Sequence, residues 1–309
     1  MAELHRFAHE AMATTFEILI ASDDTVAESA EYARQASQAA FHEVDRLEKD
    51  LSRFIESSDI SRISKLGARQ PVRVSVDTFE CLQLAARLQR ETGGAFDVTI
   101  GALLAFWRTP AGELRNPTLK EVAEAKARTG MEQVVLDRRN FTVRLKTDGV
   151  LLDLGGIGKG FALDKAAETL REWADEGWGL EAALLSGGQS TLLAMGAPPG
   201  KRGWTVTVGA DVLDAPEEIL LRDRALSGSG TRVRGRHIID PRTGRPAGGP
   251  HVRAWASSPS GAVSDALSTA FMIMGPAETE RYCAEHADTW AILLIRDASG
   301  RRLKRVGKR

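Results

Sequence analysis

The chain has 309 residues and nearly balanced charge, with 41 Lys and Arg against 42 Asp and Glu. That length leaves room for two domains and buries roughly three quarters of the unfolded surface, so disulfide staples are not needed. The charge balance excludes a general nucleic-acid-binding surface, and the two cysteines, Cys81 and Cys283, form no CxxC pair, as suits a reducing compartment.

The apolar runs 102–107 and 290–295 fall far short of a membrane span of about 20 residues. The start, MAELHRFAHEAMATTF, has neither the apolar core of a signal peptide nor a lipidated cysteine, so a cytoplasmic protein is expected. The basic end, with Arg301, Arg302, Lys304, Arg305, Lys308 and Arg309, reads as a solvated terminus.

In chain order, residues 15–21 alternate like a strand, and 26–54 carry apolar residues at helical spacing. A strand over 71–76 precedes a helix that starts at Asp77, boxed by Glu80, and stops at Gly93-Gly94. Thr118 and Glu121 form a second capping box before a short helix to about Arg128. Residues 134–136 and 141–146 read as a hairpin around Arg139-Asn140. An apolar strand over 150–154 runs into glycines and then a helix over 159–173. Strands are expected at 182–185, 192–195, 204–208, 252–256 and 290–295, and helices at 264–274 and 277–286. Strands come in hairpin-like groups with helices inserted between them, which favours α+β over a doubly wound sheet.

Four segments could carry chemistry. DLGGIGKG, Asp153 to Gly160, ends a strand in glycines ahead of a helix, the arrangement that aims backbone N–H groups at phosphate. Neither a Walker A loop nor a GxGxxG fits, since Asp153, Gly160 and Phe161 stand where those motifs need other residues. In SDALSTA, helical spacing puts Asp265, Ser268 and Thr269 on one face, all offering the oxygen that Mg²⁺ takes. In RHIIDPRTGRP, Asp240-Pro241 and Thr243-Gly244 are turn chemistry, and His237 is a candidate general base. In TGGAFDVTIGAL, the glycine pair lets backbone approach a ligand, with Phe96 available to pack on a flat ring. Each segment alone also has a plain structural reading: a tight turn, an ordinary helix start, a structural histidine, a helix end.

Their combination and order carry more. Met12-Ala13-Thr14, LSRF with SDISRIS, GAFDVT, DLGGIGKGFALD, SGGQS, HIIDPRTGRP and DALST follow one another from about residue 12 to residue 275. This succession resembles the FAD:protein FMN transferase (ApbE) family. Its members read M-G-T, L-S-x-Y/F, G-A-F-D-x-T, D-L-G-A/G-I-A-K-G-Y-A-x-D, G-G, H-I-I-D-P-x-T-G-x-P and D-A-L-x-T.

The resemblance implies a T-fold-like α+β protein forming one catalytic unit over 1–309, with room for two subdomains. It implies FAD contacts from Met12, Phe54, Ala95, Phe96, Asp97, Asp153, Lys159 and Ile239. It implies Mg²⁺ on the Gly156 carbonyl, Asp265 and Thr269, with Ser268 as a further candidate. FMN would pass from FAD to a Ser or Thr hydroxyl of an acceptor flavoprotein carrying a D/S-G-x-S/T-type motif, and AMP would leave; His237, read from its own segment, is the candidate base for that hydroxyl. This chain offers only near misses to that motif, at Ser186, Ser227 and Ser260, so it is not expected to modify itself. Phe54 replaces the family's Tyr, and Ala13 replaces a Gly. Three alternatives stay open at this point: an FAD pyrophosphatase, a non-catalytic flavin-delivery protein and a redox flavoprotein.

Overall fold

The computed structural model describes all residues except 1, 24–28, 108–114, 176–179, 211, 214–215, 231–237, 249, 298–299 and 309. The chain opens with β1 (Ala2–Ala11), β2 (Thr14–Asp23), α1 (Ser29–Leu51) and α2 (Asp59–Leu66). β3 (Val72–Arg73), α3 (Val76–Glu91), α4 (Gly101–Trp107), α5 (Leu119–Lys126), β4 (Val134–Asp137) and β5 (Thr142–Leu145) follow. Next come α6 (Gly158–Asp175), β6 (Leu180–Gly187), β7 (Thr191–Met195), β8 (Trp204–Val208), β9 (Glu217–Leu221) and β10 (Arg224–Gly230). The last part holds β11 (Ile239–Asp240), β12 (Arg245–Pro246), β13 (His251–Ser258), α7 (Gly261–Phe271), α8 (Pro276–Glu285), β14 (Trp290–Asp297) and β15 (Gly300–Val306).

The chain forms two compact units, each assembled from separate stretches. The first takes Met1–Arg46, Lys159–Ser227 and Ser257–Ser264. Its strands pair antiparallel in the order β1-β2-β6-β7-β10. β2 alternates as a half-buried strand should, with Phe16, Ile18 and Ile20 all within the core. α6 supplies Ala162, Leu163, Ala166, Ala167 and Leu170 to that core at helical spacing.

β1 is a strand where the composition AELHRFAHEA suggested none. It pairs with β2 over ten residue pairs through a two-residue turn, Met12-Ala13. Both turn residues have positive φ, 51° and 57°, the primed geometry that matches the twist of a hairpin. The family's glycine at position 13 has a physical reason here, and Ala13 accepts a strained backbone instead.

The second unit takes Leu47–Gly158, Gly228–Ala256 and Asp265–Arg309. It holds the antiparallel sheet β3-β5-β4, the small hairpin β11-β12, and the strand order β13-β14-β15. The expected hairpin over 134–146 is present as β4 and β5, and the Thr118–Glu121 capping box is present in both directions. Several expectations differ. The strand over 71–76 shortens to β3, because Ser75 is the cap of α3 and accepts from the Thr78 N–H. Residues 150–154 are not a ladder strand. They run extended beside 98–101 with a single parallel bridge, Ile100 to Leu151, and one bond from the Asp153 N–H to the Val98 carbonyl. Arg301, Arg302, Lys304 and Arg305 of the basic end lie on β15, where they keep the outer strand charged and discourage further pairing. Cys81 and Cys283 are both buried and free. Among the described residues, no helix is long and apolar enough to cross a membrane.

Candidate active site

In the second unit, three predicted segments meet. Gly156 closes the turn before α6. A Cβ placed on it would lie 3.4 Å from the Phe96 ring and 3.4 Å from Thr269 Oγ1. The glycine loop, the GAFD segment and the hydroxyl face of α7 therefore converge on one point. Asp265 and Ser268 sit on the same side of α7, at i and i+3, and both are buried. Ser268 Oγ donates to the Asp265 carbonyl at 2.8 Å, and Ser229 at the end of β10 reaches Ser268 at 2.8 Å and Thr269 at 3.3 Å. The side-chain groups on this face of α7 are a carboxylate and hydroxyls, an all-oxygen set that fits Mg²⁺ and suits softer metals poorly.

The loop itself is held from inside. Asp153 Oδ1 accepts from the Gly155 N–H at 2.8 Å, while its Oδ2 takes the Arg53 guanidinium at 2.8 Å. Arg53 also lies 4.4 Å over the Phe54 ring, which is 82% exposed. The LSRF segment thus brings an exposed aromatic face and a cation to the phosphate-type loop, a pairing that can flank a planar ligand. Arg53 was invisible to motif reading, since it fills the variable position of L-S-x-Y/F.

The GAFD segment starts at the α3 end. Gly93 and Gly94 take positive φ, and Thr92 Oγ1 accepts from the Phe96 N–H at 3.1 Å. Ala95 and Phe96 are buried. Asp97 turns inward: its Oδ1 accepts from Thr99 N–H at 2.8 Å and Thr99 Oγ1 at 2.6 Å. Burial pushes the Asp97 carboxyl above the usual carboxylate range, against the pull of those bonds. Its side chain organises the loop through Thr99. Ile239 packs in a cluster with Ala102, Leu103 and Ala125. The rest of HIIDPRTG clamps helices: Arg242 bonds Asp240 and Glu278, and the Trp107 indole donates to the Gly244 carbonyl at 2.8 Å. His237 lies outside the described residues.

In the first unit, Lys159, the Met12 turn and the Gly187-Gly188 pair come together. Gly187 lies against the stem of Lys159, since a Cβ there would be 3.5 Å from the Lys159 Cβ. Gly188 has φ +62°, and a Cβ on it would meet Thr14 Oγ1 at 2.4 Å. Asp164 lies nearly two turns into α6 and is the last residue of DLGGIGKGFALD. It accepts from Ser260 Oγ at 2.7 Å, Gly261 N–H at 2.6 Å and Ala262 N–H at 3.0 Å, and so caps α7. The helix start expected at Ser264 is therefore displaced to Gly261. Ser264 instead donates to Ser227 at 2.9 Å.

The glycines of the loop now explain themselves. Gly160 and Gly261 touch backbone to backbone, and a Cβ on Gly160 would lie 2.1 Å from the Gly261 oxygen. Gly158 has only Leu154 at 3.8 Å and has room for the alanine that the family carries there.

The FAD:protein FMN transferase of Haemophilus influenzae is 26% identical over 94% of this chain and 86% of its own length. That of Vibrio cholerae is 29% identical over 82% of this chain and 78% of its own. Among solved structures, a flavin transferase ApbE from Vibrio cholerae matches with a TM-score of 0.85 at 25% identity, covering 99% of this chain and 98% of its own. The ApbE protein of Thermotoga maritima matches at 0.83 and 26%, covering 98% and 97%. The ApbE family model matches residues 12–294, a span that holds the Met12 turn, the glycine loop, the HIIDP turn and the hydroxyl face of α7, and the chain belongs to that family.

Proposed function

We propose that this chain is an FAD:protein FMN transferase that uses Mg²⁺ to move FMN from FAD onto a Ser or Thr hydroxyl of another protein. The observation that carries the reading is the convergence of Gly156, Phe96 and Thr269, with Asp265 and Ser268 on the same helix face. An all-oxygen cation site beside a glycine loop suits a pyrophosphate ester, and the relatives' activity supplies the acceptor class.

In this reading the acceptor oxygen bonds to the FMN-side phosphorus, the P–O–P bridge breaks and AMP leaves with the bridging oxygen. His237 takes the hydroxyl proton. Asp265, Thr269 and the Gly156 carbonyl hold Mg²⁺, with Ser268 beside them. When bound, the cation neutralises charge on the phosphate oxygens. Asp153, Lys159, Phe54 and the 95–97 backbone orient the nucleotide, with Met12 and Ile239 completing its contacts. The protein's own contribution is positioning, as expected where the reacting group brings its own leaving group.

The test is FAD and Mg²⁺ with an acceptor domain bearing a D/S-G-x-S/T-type motif, read by covalent flavin fluorescence in a denaturing gel and by AMP release. Asp265→Ala or EDTA should lower the rate by at least ~10²-fold. Full activity under either condition would remove the metal from the reading. AMP and free FMN without covalent flavin would make the protein a pyrophosphatase instead.

A further inference from the structure

Ser229 stands at the end of β10, outside every motif that singled out the site, yet it touches two of the hydroxyls in the cation face of α7. It is half-buried, with Ser268 Oγ at 2.8 Å and Thr269 Oγ1 at 3.3 Å. A hydroxyl has one proton to give and two lone pairs to accept with. Ser268 gives its proton to the Asp265 carbonyl at 2.8 Å. The Ser229–Ser268 bond therefore needs Ser229 as donor. Ser229 then has no second proton, so in its contact with Thr269 it accepts. The protons run one way: Thr269 to Ser229, Ser229 to Ser268, Ser268 to the helix backbone.

This direction matters for Thr269. A neutral hydroxyl binds a cation only through its lone pairs, so its proton must point elsewhere. Inside a helix, the default acceptor for a threonine is its own i−4 carbonyl, here that of Asp265. Ser229 supplies a different acceptor, from another strand, and leaves the Thr269 oxygen directed where it lies near Gly156. We propose that Ser229 is a positioning residue for the cation site: by accepting the Thr269 proton it turns the threonine lone pairs to the metal. The proposal rests on the metal reading above and adds to it a residue that binds neither metal nor nucleotide.

Outer partners that orient a metal ligand typically change metal affinity by about 10- to 100-fold. The experiment measures Mn²⁺ affinity by electron paramagnetic resonance in the presence of FAD, and FAD affinity in EDTA by flavin fluorescence. Ser229→Ala should weaken Mn²⁺ binding by ~10-fold or more, with FAD affinity in EDTA and the melting temperature unchanged. Ser229→Thr, which keeps the hydroxyl, should restore the Mn²⁺ affinity. Mn²⁺ binding unchanged in Ser229→Ala, while Asp265→Ala abolishes it, overturns this proposal alone. Mn²⁺ binding unchanged in Asp265→Ala overturns the metal reading and this proposal with it. Equal losses of FAD affinity in EDTA and of Mn²⁺ affinity in Ser229→Ala also overturn it, since the residue would then hold the site's shape and not its metal ligand.

Discussion

Gly160→Ala and Gly158→Ala change the same motif two residues apart and should have opposite outcomes. At Gly160 the new methyl would sit 2.1 Å from the Gly261 oxygen and 2.4 Å from its carbonyl carbon. Both are backbone atoms, so no side chain can swing away. A carbon needs about 3.3 Å from an oxygen even in a close contact, so the starts of α6 and α7 must separate by roughly 1 Å. That movement stretches the three bonds from Asp164 to Ser260, Gly261 and Ala262, now 2.6–3.0 Å, beyond useful length. Three bonds at about 1 kcal/mol net each, plus overpacking strain of about 1–3 kcal/mol, give a loss of ~4–6 kcal/mol. At about 2–4 °C per kcal/mol, the melting temperature should fall by roughly 10–20 °C. At Gly158 the new methyl meets only Leu154 Cβ at 3.8 Å, and the residue opens a helix, so the change should be neutral or stabilising by up to about 1 kcal/mol. Urea unfolding followed by tryptophan fluorescence, with thermal melts, reads both. A Gly160→Ala protein as stable as wild type, or more stable than Gly158→Ala, would show that the two helix starts are not in the contact described.

Two further outcomes follow from the same geometry. Gly156→Ala places a methyl at 3.4 Å from Phe96 and Thr269, a contact that a small shift relieves, so it should keep FAD affinity within a few-fold and shift stability by under about 1 kcal/mol; a tenfold loss of FAD affinity in a titration would contradict that space. His251 opens β13 at 7% exposure, and among the described residues neither ring nitrogen has a partner of hydrogen-bond geometry. Burial holds its pKa below the ordinary histidine value, against a weaker upward pull from the Met274 backbone, whose contact falls short of a hydrogen bond. The folded ring stays neutral while the unfolded chain takes a proton below about pH 6.5, so stability falls with pH by at most about 1.4 kcal/mol per unit from this group. His251→Leu should flatten the unfolding free energy between pH 7 and 5.5, and an unchanged slope would mean that the ring is solvated.

Residues close in the chain made much of this protein legible before its fold was known. α1, α3, α6 and α8 declare themselves by apolar spacing, Thr118 and Glu121 by a reciprocal cap, and β4 and β5 by a turn between two short apolar runs. These signals are local, because a helix turn or a hairpin is satisfied within a few residues. The order of the motifs was also readable and pointed to the nucleotide chemistry. β1 was not, since Ala, His and Glu alternate there without the β-branched residues of a strand, and pairing with β2 decides its state. Asp153 and Asp97 read as ligand residues in the chain, and only the fold shows that Arg53 and the Gly155 N–H hold the Asp153 carboxylate and that Thr99 bonds Asp97 Oδ1. Asp164 gains its meaning from α7, 97 residues away, and Ser229 from hydroxyls 39 and 40 residues away. A hydroxyl carries no pattern of its own; the direction of its proton is set by whichever neighbours folding brings within 3 Å or so, and only the tertiary structure supplies those neighbours.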